Sequence, residues 1–356
     1  MKNIQVKLGT RSYPIQVKSG LLQSAPTLLS EQNHGQKWII ISQHKLMELF
    51  GFQLMNELKN ADFDIDYLTL PIGETAKSLN EFSELINQMI EYKCDRSSVV
   101  LALGGGVVGD VGGFVSSSFM RGIDYYQIPT TLLAMVDSAI GGKTGINIAE
   151  GKNLIGSIYQ PKGVLVDPKI LNSLPKEETI AGLGEIIKYG AIWDRNFFNN
   201  ISFWLDDLNN FPFEEAIFRA CEIKAEIVSK DEREDGLRKL LNFGHTIGHA
   251  LEAYSGYGRI RHGEAVALGM KCAAWISKKI GRLNADDEIH LFNTINKLKL
   301  PNVKKLDPNT ILSFVKKDKK VRNGILHFVV LDKLGKGNTS QEVSEQLIKE
   351  SLRVIQ

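Results

Sequence analysis

The sequence predicts an α/β domain with a Rossmann-like, doubly wound parallel sheet over residues 1–170, followed by a mainly α-helical domain over residues 171–356. In the first part, short apolar runs alternate with helical patterns, which is the rhythm of a parallel sheet covered by helices. In the second part, apolar residues recur three and four positions apart, which indicates amphipathic helices. A chain of 356 residues also exceeds the roughly 250–300 residues that one hydrophobic core normally serves.

The first part begins with a predicted hairpin. Residues 3–8 and 13–17 alternate between polar and apolar side chains on either side of a Gly-Thr-Arg-Ser turn, and 38–41 form an apolar run typical of a buried strand. The rest of the pattern consists of predicted strands at 64–70, 98–103 and 163–166 and predicted helices near 45–58, 79–92 and 107–119.

The second part carries a helical period almost throughout. We expect one strand or short hairpin at 325–331 and a closing amphipathic helix at 345–355. The other predicted elements are helices at 176–190, 213–230, 242–254, 262–281, 286–298 and 308–320.

Composition narrows the class of protein. The 43 basic and 41 acidic residues nearly balance, so no net field favours nucleic acid, although a small anionic substrate remains compatible. Cys94, Cys221 and Cys272 stand far apart, which argues against a disulfide framework and favours a reducing compartment.

The N-terminus lacks the apolar run of a signal peptide, and no stretch reaches the roughly 18 apolar residues of a membrane span. We therefore expect a cytoplasmic protein.

A glycine run follows the predicted strand at 98–103. Gly104 to Gly109 match G-x-G-x-x-G, and a helical pattern continues beyond them. Glycines at these positions let the backbone approach a pyrophosphate, whose charge lies at the helix N-terminus. Close packing of strand and helix is the alternative interpretation of an isolated match. The run follows about the fourth strand, whereas the usual fingerprint follows the first, so an enzyme other than an ordinary dehydrogenase is favoured.

A second glycine cluster covers 138–145 but lacks the spacing of a phosphate-binding P-loop. Lys143 and Lys152 lie in or near it, and Thr130, Thr131 and Asp137 precede it. Together they are candidates for a polar wall that binds an anion.

Three of the seven histidines fall within 18 residues, which indicates a metal site. His245 and His249 are four apart and share one helix face, so spacing alone makes them the ligand pair, as in H-E-x-x-H. Thr246 replaces the glutamate of that motif, which disfavours a zinc protease. His262 completes the group. Glu185, flanked by small residues, is the best candidate for a carboxylate ligand.

Two charged segments indicate a function less specifically than the histidine group does. The mixed run 230–238 is typical of a solvated turn, but its position before the histidines makes Glu234 and Arg238 candidates for facing the site. The basic run 316–320 is more typical of a solvated helix face than of a binding patch.

Taken in order, these motifs resemble the 3-dehydroquinate synthase family over nearly the whole length. The matching segments are 104–110, 128–134, 141–145, 152–153, 185–188, 231–234 and 241–246. The resemblance implies NAD and a divalent metal, zinc or cobalt, as cofactors. It implies conversion of 3-deoxy-D-arabino-heptulosonate 7-phosphate to 3-dehydroquinate and phosphate. The steps would be transient oxidation by NAD+, phosphate elimination, re-reduction and intramolecular aldol closure in the shikimate pathway.

The resemblance also implies roles for individual residues, and it changes the ligand pair. Metal ligands would be Glu185, His245 and His262, while His249 would face the substrate. Catalytic roles would fall on Glu234, His249, Lys152, Asn153 and Arg121. Substrate contacts would come from Asp137, Lys143, Lys152, Asn153, Lys188, Lys224, Arg238, Asn242, His249 and one lysine of the Lys319–Lys320 pair. Cofactor contacts would come from Glu74, Lys77, Gly104, Gly105, Gly106, Val107, Val108, Asp110, Thr130, Thr131, Lys143, Lys152, Ser173 and Leu174.

The resemblance has one implication for assembly, and the sequence departs from the family pattern at one position. Arg121 matches an arginine that reaches the neighbouring subunit's site, which implies a homodimer. Gln43 stands where the family usually has an aspartate, so one hydrogen bond to the cofactor ribose would have to come from an amide.

Three other functions are weighed against this one. A cyclase of the 2-epi-5-epi-valiolone or 2-deoxy-scyllo-inosose synthase type would act on sedoheptulose 7-phosphate or glucose 6-phosphate, but Asn242 and His249 favour the dehydroquinate family. A metal-dependent polyol dehydrogenase would release NADH. An inactive NAD-binding protein is disfavoured because each expected ligand is present.

Overall fold

The structure, a computed structural model, describes residues 1–256, 259–303, 306–317, 321–322, 325–326 and 328–356. These residues form two units. The first comprises Met1–Leu174 together with Lys224–Ser229, and the second comprises Pro175–Ile223 and Lys230–Gln356.

A seven-stranded sheet organises the first unit. Its strands run β1-β2-β9-β6-β5-β3-β4 across the sheet; β1 and β2 form the predicted antiparallel hairpin, and the other neighbouring strands pair in parallel. Their bounds are β1 Lys2–Val6, β2 Tyr13–Val17, β3 Lys37–Gln43, β4 Asp64–Leu70, β5 Val99–Gly104, β6 Asp124–Pro129 and β9 Gly163–Val166. The predicted doubly wound sheet is confirmed.

Successive residues of β3 show why this sheet is covered on both faces. Ile39 and Ile41 are buried in one apolar cluster, whereas Trp38 and Ile40 are buried in another. Because successive side chains of a strand point to opposite faces, both faces of β3 carry a core. The helices of this unit are α1 Ala25–Leu29, α2 His44–Leu46, α3 Phe52–Lys59, α4 Leu79–Glu91 and α5 Gly106–Ser118, and a π-helical turn at Met47–Gly51 joins α2 to α3.

Two features of this unit are missed by the sequence analysis. Strand β6 contains the buried polar Gln127 and ends at Pro129, and both residues obscure its strand pattern. The second glycine cluster leads into a hairpin of β7, Lys143–Ile148, and β8, Gly151–Ile158. Its glycines permit close approach of the two strands and at the same time remove the alternation from which a strand is recognised.

The second unit is mainly helical, as predicted. Helix α9 begins at His245 and not at 242, because Gly244 adopts the left-handed conformation with φ of +80°. Helix α7 is missed; Asp194 caps its N-terminus, and several asparagines weaken its pattern. The helices are α6 Lys176–Trp193, α7 Arg195–Trp204, α8 Phe213–Lys230, α9 His245–Ser255, α10 His262–Lys279, α11 Ala285–Asn296, α12 Pro308–Lys317 and α13 Glu345–Ser351; residues Lys224–Ser229 of α8 belong to the first unit.

Two short β-pairs complete the second unit. The predicted strand near its end is present as β12, Phe328–Lys333, which pairs with β13, Lys336–Ser340; β10, Val321–Arg322, pairs with β11, Ile325–Leu326. Within the described part of the chain, no helix combines the length and the apolar character needed to cross a bilayer.

Candidate functional site

Three helices of the second unit pack unusually closely. A Cβ atom on Gly263 of α10 would lie 1.8 Å from the carbonyl oxygen of Ala181 on α6. A Cβ on Gly269 of α10 would lie 2.0 Å from the carbonyl oxygen of Gly244, just before α9. Since neither approach leaves space for a side chain, the glycines bring the first turn of α10 against α6 and the start of α9 against the middle of α10.

A carboxylate and two imidazoles converge at this point. The Nε2 atoms of His245 and His262 lie 3.5 and 3.6 Å from the same oxygen, Oε1 of Glu185. Two ligand atoms at about 2.0–2.1 Å from a tetrahedral zinc ion lie roughly 3.4 Å apart, so these separations suit a shared cation.

The Glu185 carboxylate supports the same interpretation. It is completely buried, and among the described residues neither oxygen accepts a hydrogen bond, although Lys188 Nζ forms an ion pair with Oε2. Burying an ionised carboxylate is costly unless cations compensate it, and the Lys188 ammonium pairs with Oε2, whereas Oε1 faces the two imidazoles. The residues present therefore fit a divalent metal.

The Nδ1 atoms of the same two histidines face acceptors. Nδ1 of His245 lies 3.2 Å from the carbonyl oxygen of Phe243, and Nδ1 of His262 lies 3.1 Å from Oε2 of Glu252. A proton assigned to Nδ1 in each ring leaves the Nε2 lone pair directed towards Glu185. Glu252 was not predicted from the sequence, although its position seven residues after His245 places it on the same helix face.

His249 belongs to the same group of imidazoles. Ligand atoms of His245, His249 and His262 all lie within 4.8 Å of one another, and the ring of His249 is 5.4 Å from that of His245 and 5.7 Å from that of His262. The structure thus brings together all three predicted histidines. The contacts with Glu185 Oε1 favour His245 and His262 as the ligand pair, and the division of roles stays a prediction.

A loop before α9 places further predicted residues in this unit. Asn242 Nδ2 donates a hydrogen bond to Glu234 Oε1, and Glu234 has an uncommon positive φ of +64°. The buried Arg238 donates from Nη1 to the carbonyl oxygen of Glu232. Burial acts to raise the pKa of Asp231, but hydrogen bonds from backbone N–H groups, including that of Arg238, bring it below its usual range.

The first unit carries the glycine run between β5 and α5, which makes the run follow the fifth strand along the chain. None of the described side chains caps the N-terminus of α5. A Cβ on Gly105 would lie 3.1 Å from Cγ2 of Thr131, and one on Gly106 would lie 3.1 Å from Oγ of Ser138. This Oγ atom is buried and has no hydrogen-bond partner among the described residues. An uncapped helix start beside an unsatisfied hydroxyl fits the pyrophosphate of a dinucleotide.

Four of the predicted residues form a polar cluster in the first unit. The ammonium of Lys77, which is 4 % exposed, lies 2.6 Å from Asp110 Oδ2 and 3.8 Å from Glu74 Oε1, and it donates to Asn153 Oδ1. Burial raises the pKa of Asp110 to about 6, although Lys77 lowers it. Asn147, which sequence reasoning missed, donates to Glu74 Oε1 and accepts from the backbone N–H of Asn153.

The remaining predicted residues are placed as follows. Lys224 Nζ lies 2.5 Å from Asp137 Oδ1 and donates to the carbonyl oxygen of Asp137, within the first unit. Lys143 and Lys152 are exposed on β7 and β8. Thr130 is buried and donates its N–H to the carbonyl oxygen of Gly104, while Val107 and Val108 lie in the first turn of α5. Ser173 and Leu174 end the first segment of the first unit. Gln43 Nε2 donates a hydrogen bond to the carbonyl oxygen of Pro71. Lys319 and Lys320 lie outside the described residues.

The helix-opening glycine run of one unit and the carboxylate–imidazole group of the other suit a dinucleotide and a divalent metal, and the chain is similar to solved structures of sugar phosphate cyclases that hold both. A 2-deoxy-scyllo-inosose synthase, crystallised with carbaglucose-6-phosphate, NAD+ and Co2+, superposes with a TM-score of 0.90 at 27% identity, covering 100% of both chains. A 2-epi-5-epi-valiolone synthase from Streptomyces hygroscopicus subsp. jinggangensis 5008, with NAD+ and Zn2+ bound, gives a TM-score of 0.88 at 26% identity over 96% of each chain.

Sequence relatives identify the family. The family models described as 3-dehydroquinate synthase N-terminal and C-terminal match residues 67–181 and 182–321. A 3-dehydroquinate synthase of Desulforamulus reducens is 43% identical in an alignment of 354 positions that covers 97% of this chain and 98% of that protein. The chain belongs to the 3-dehydroquinate synthase family.

Proposed function

We propose that this protein converts 3-deoxy-D-arabino-heptulosonate 7-phosphate to 3-dehydroquinate and phosphate, a carbon–oxygen lyase reaction that uses NAD and a divalent metal, zinc or cobalt. The observation that carries the proposal is the buried Glu185 carboxylate, whose Oε1 faces the Nε2 atoms of His245 and His262. Identity of 43% over nearly the whole chain to a named 3-dehydroquinate synthase supports the choice of substrate.

Glu185, His245 and His262 would hold the metal. When bound, the divalent ion polarises the substrate hydroxyl and carbonyl, and NAD+ takes up a hydride and returns it. The buried ammonium of Lys188 beside Glu185 and the guanidinium of Arg238 supply positive charge for an anionic substrate.

Two groups of the second unit suit proton transfer. The imidazole of His249 lies within the histidine group, and imidazole is the side chain best suited to take up and return a proton near neutral pH. Glu234 is held by the amide of Asn242, so its carboxylate has a defined position. We assign both residues proton-transfer roles.

The first unit would bind NAD at the glycine run. Backbone N–H groups at the start of α5 suit the pyrophosphate, and the Ser138 hydroxyl is available as a further donor. Asp110 and Glu74, held by Lys77, supply carboxylates for hydroxyl groups of the cofactor. Lys152 and Asn153 lie on the neighbouring hairpin and are assigned to cofactor and substrate contacts.

A homodimer is part of the proposal. Arg121 and the adjacent Met120 have positive φ values of +70° and +49°, a costly conformation that is characteristic of functional positions. Met120, Leu154 and Ile158 are about two-fifths exposed, and a hydrogen bond from Ser157 on β8 to Ser117 joins the two segments that carry them. A second copy would cover these apolar side chains and receive Arg121. Sedimentation as a single chain would contradict this assembly.

The cytoplasm is the proposed location, because a reducing compartment suits cysteines that stand far apart along the chain, and Cys94, Cys221 and Cys272 are all buried.

Substrate choice tests the proposed function against its nearest alternative. The zinc-loaded protein with NAD+ is supplied separately with the heptulosonate phosphate, sedoheptulose 7-phosphate and glucose 6-phosphate, and released phosphate and the organic product are measured. We expect turnover of the heptulosonate phosphate alone, with dehydroquinate as product. Turnover of either other sugar phosphate in its place would assign the protein to another cyclase activity, and a polyol oxidised with accumulating NADH would indicate a dehydrogenase.

A further inference from the structure

Glu252 lies beside the histidine group without belonging to the proposed ligand set. Its side chain is 15 % exposed, and its Oε2 is 3.1 Å from Nδ1 of His262. Helix α9 starts with His245 and carries Glu252 two turns later, whereas His262 starts α10. One helix thus supplies both a proposed ligand and a carboxylate that contacts the other histidine.

Close packing of α9 and α10 makes this contact possible. A Cβ on Gly248 of α9 would lie 3.1 Å from the carbonyl oxygen of Ala265 on α10, so the two backbones are near each other between His245 and Glu252. A carboxylate in the third turn of α9 therefore reaches the first residue of α10.

The chemistry of imidazole gives this contact a specific consequence. A neutral imidazole carries its proton on either nitrogen, and only the other nitrogen has a lone pair for a metal. An ionised carboxylate accepts hydrogen bonds and donates none, so Glu252 requires the proton of His262 to lie on Nδ1. The Nε2 lone pair then points to the side on which Glu185 Oε1 lies, 3.6 Å away.

The two histidines differ in the acceptor that orients them. His245 faces the carbonyl oxygen of Phe243, which is neutral, whereas His262 faces a carboxylate. A charged acceptor both fixes the ring and makes the imidazole a stronger donor to a metal.

We infer that Glu252 is a positioning residue that holds His262 in the tautomer and orientation required for metal binding and strengthens that ligand through its charge. This inference rests on the proposed metal site. The full-length chain, freed of metal and titrated with zinc against a chromophoric chelator, provides the test, since it does not depend on turnover.

For Glu252→Ala we expect zinc affinity to fall by about 10- to 100-fold, the range typical of lost partners of metal-bound histidines. Glu252→Gln should show a smaller loss, because the amide oxygen still accepts the Nδ1 proton but carries no charge. The visible absorption bands of bound cobalt should change in both variants, which a purely structural role of Glu252 would not produce. Glu178→Gln is the matched control: Glu178 pairs with Arg261, next to His262, so a carboxylate is lost nearby without loss of the His262 contact.

Zinc affinity of Glu252→Ala and Glu252→Gln within twofold of the parent would overturn the inference and leave the proposed function intact. An equal loss in Glu178→Gln would also overturn it, because a general charge effect would then explain the result. A parent chain that binds no zinc would overturn both proposals. If Glu252→Ala fails to fold, Glu252→Gln decides, with thermal unfolding of the metal-free protein as the check that its fold is unchanged.

Discussion

His245→Ala is expected to bind zinc more than about 100-fold more weakly than the parent, because loss of a ligand should exceed the 10- to 100-fold cost of losing only a ligand's outer partner. His249→Ala is expected to keep zinc affinity near that of the parent and to lose about 10²- to 10⁴-fold in turnover, the range typical of removing a general acid or base. The difference follows from the contact between Glu185 Oε1 and Nε2 of His245. Zinc titration and steady-state turnover of each variant measure the two effects.

A suitable control is His44→Ala, since His44 is a surface histidine with a side chain 74 % exposed and should leave both quantities unchanged. Loss of zinc binding in His249→Ala, together with retained zinc binding in His262→Ala, would contradict this assignment and favour His245 and His249 as the ligand pair.

Gly263→Ala is expected to lower the free energy of unfolding by about 3 kcal/mol and to weaken zinc binding. The new Cβ would meet the carbonyl oxygen of Ala181 at 1.8 Å, so α6 and α10 must separate, and overpacking of this kind usually costs 1–3 kcal/mol or more. His262 precedes the substituted position and would move away from Glu185. Urea unfolding of the metal-free protein and zinc titration measure the two effects.

Gly112→Ala in the interior of α5 is the matched control. Its Cβ would lie 3.1 Å from that of Ala102, and the better helix propensity of alanine, about 1 kcal/mol, offsets this mild crowding. A loss of stability in Gly263→Ala no larger than in this control would show that the close approach of α6 and α10 is not required.

The spacing of apolar residues along the chain was sufficient to predict most of the fold. The buried runs of β3 and β5 and the regular spacing in α8 and α10 predict their elements directly, because burial on both faces or on one stripe leaves a clear pattern. The hairpin of β7 and β8 has no such pattern. Its glycines meet closely, as Gly156 does against the carbonyl oxygen of Thr144, and they replace the side chains that would alternate.

The candidate site was predictable in part. Histidine clustering indicated the metal, and the small residues around Glu185 indicated its close approach. Spacing alone, however, favoured His249 as a ligand, since helix periodicity shows which side chains share a face but not which ring faces a carboxylate on another helix. Family resemblance predicted His262 as the second histidine ligand in place of His249. Glu252 and Asn147 were missed because their roles arise from contacts made only in the folded chain.

The most direct test of the proposed reaction is the number of phosphate ions released per NAD+ supplied. Zinc-loaded protein receives NAD+ at about one per chain and a large excess of the heptulosonate phosphate, while phosphate and NADH are followed together. We expect many phosphate ions per NAD+ and no accumulation of NADH, since the hydride returns in each turnover. At most one phosphate per NAD+, accompanied by an equal amount of NADH, would contradict a recycled cofactor.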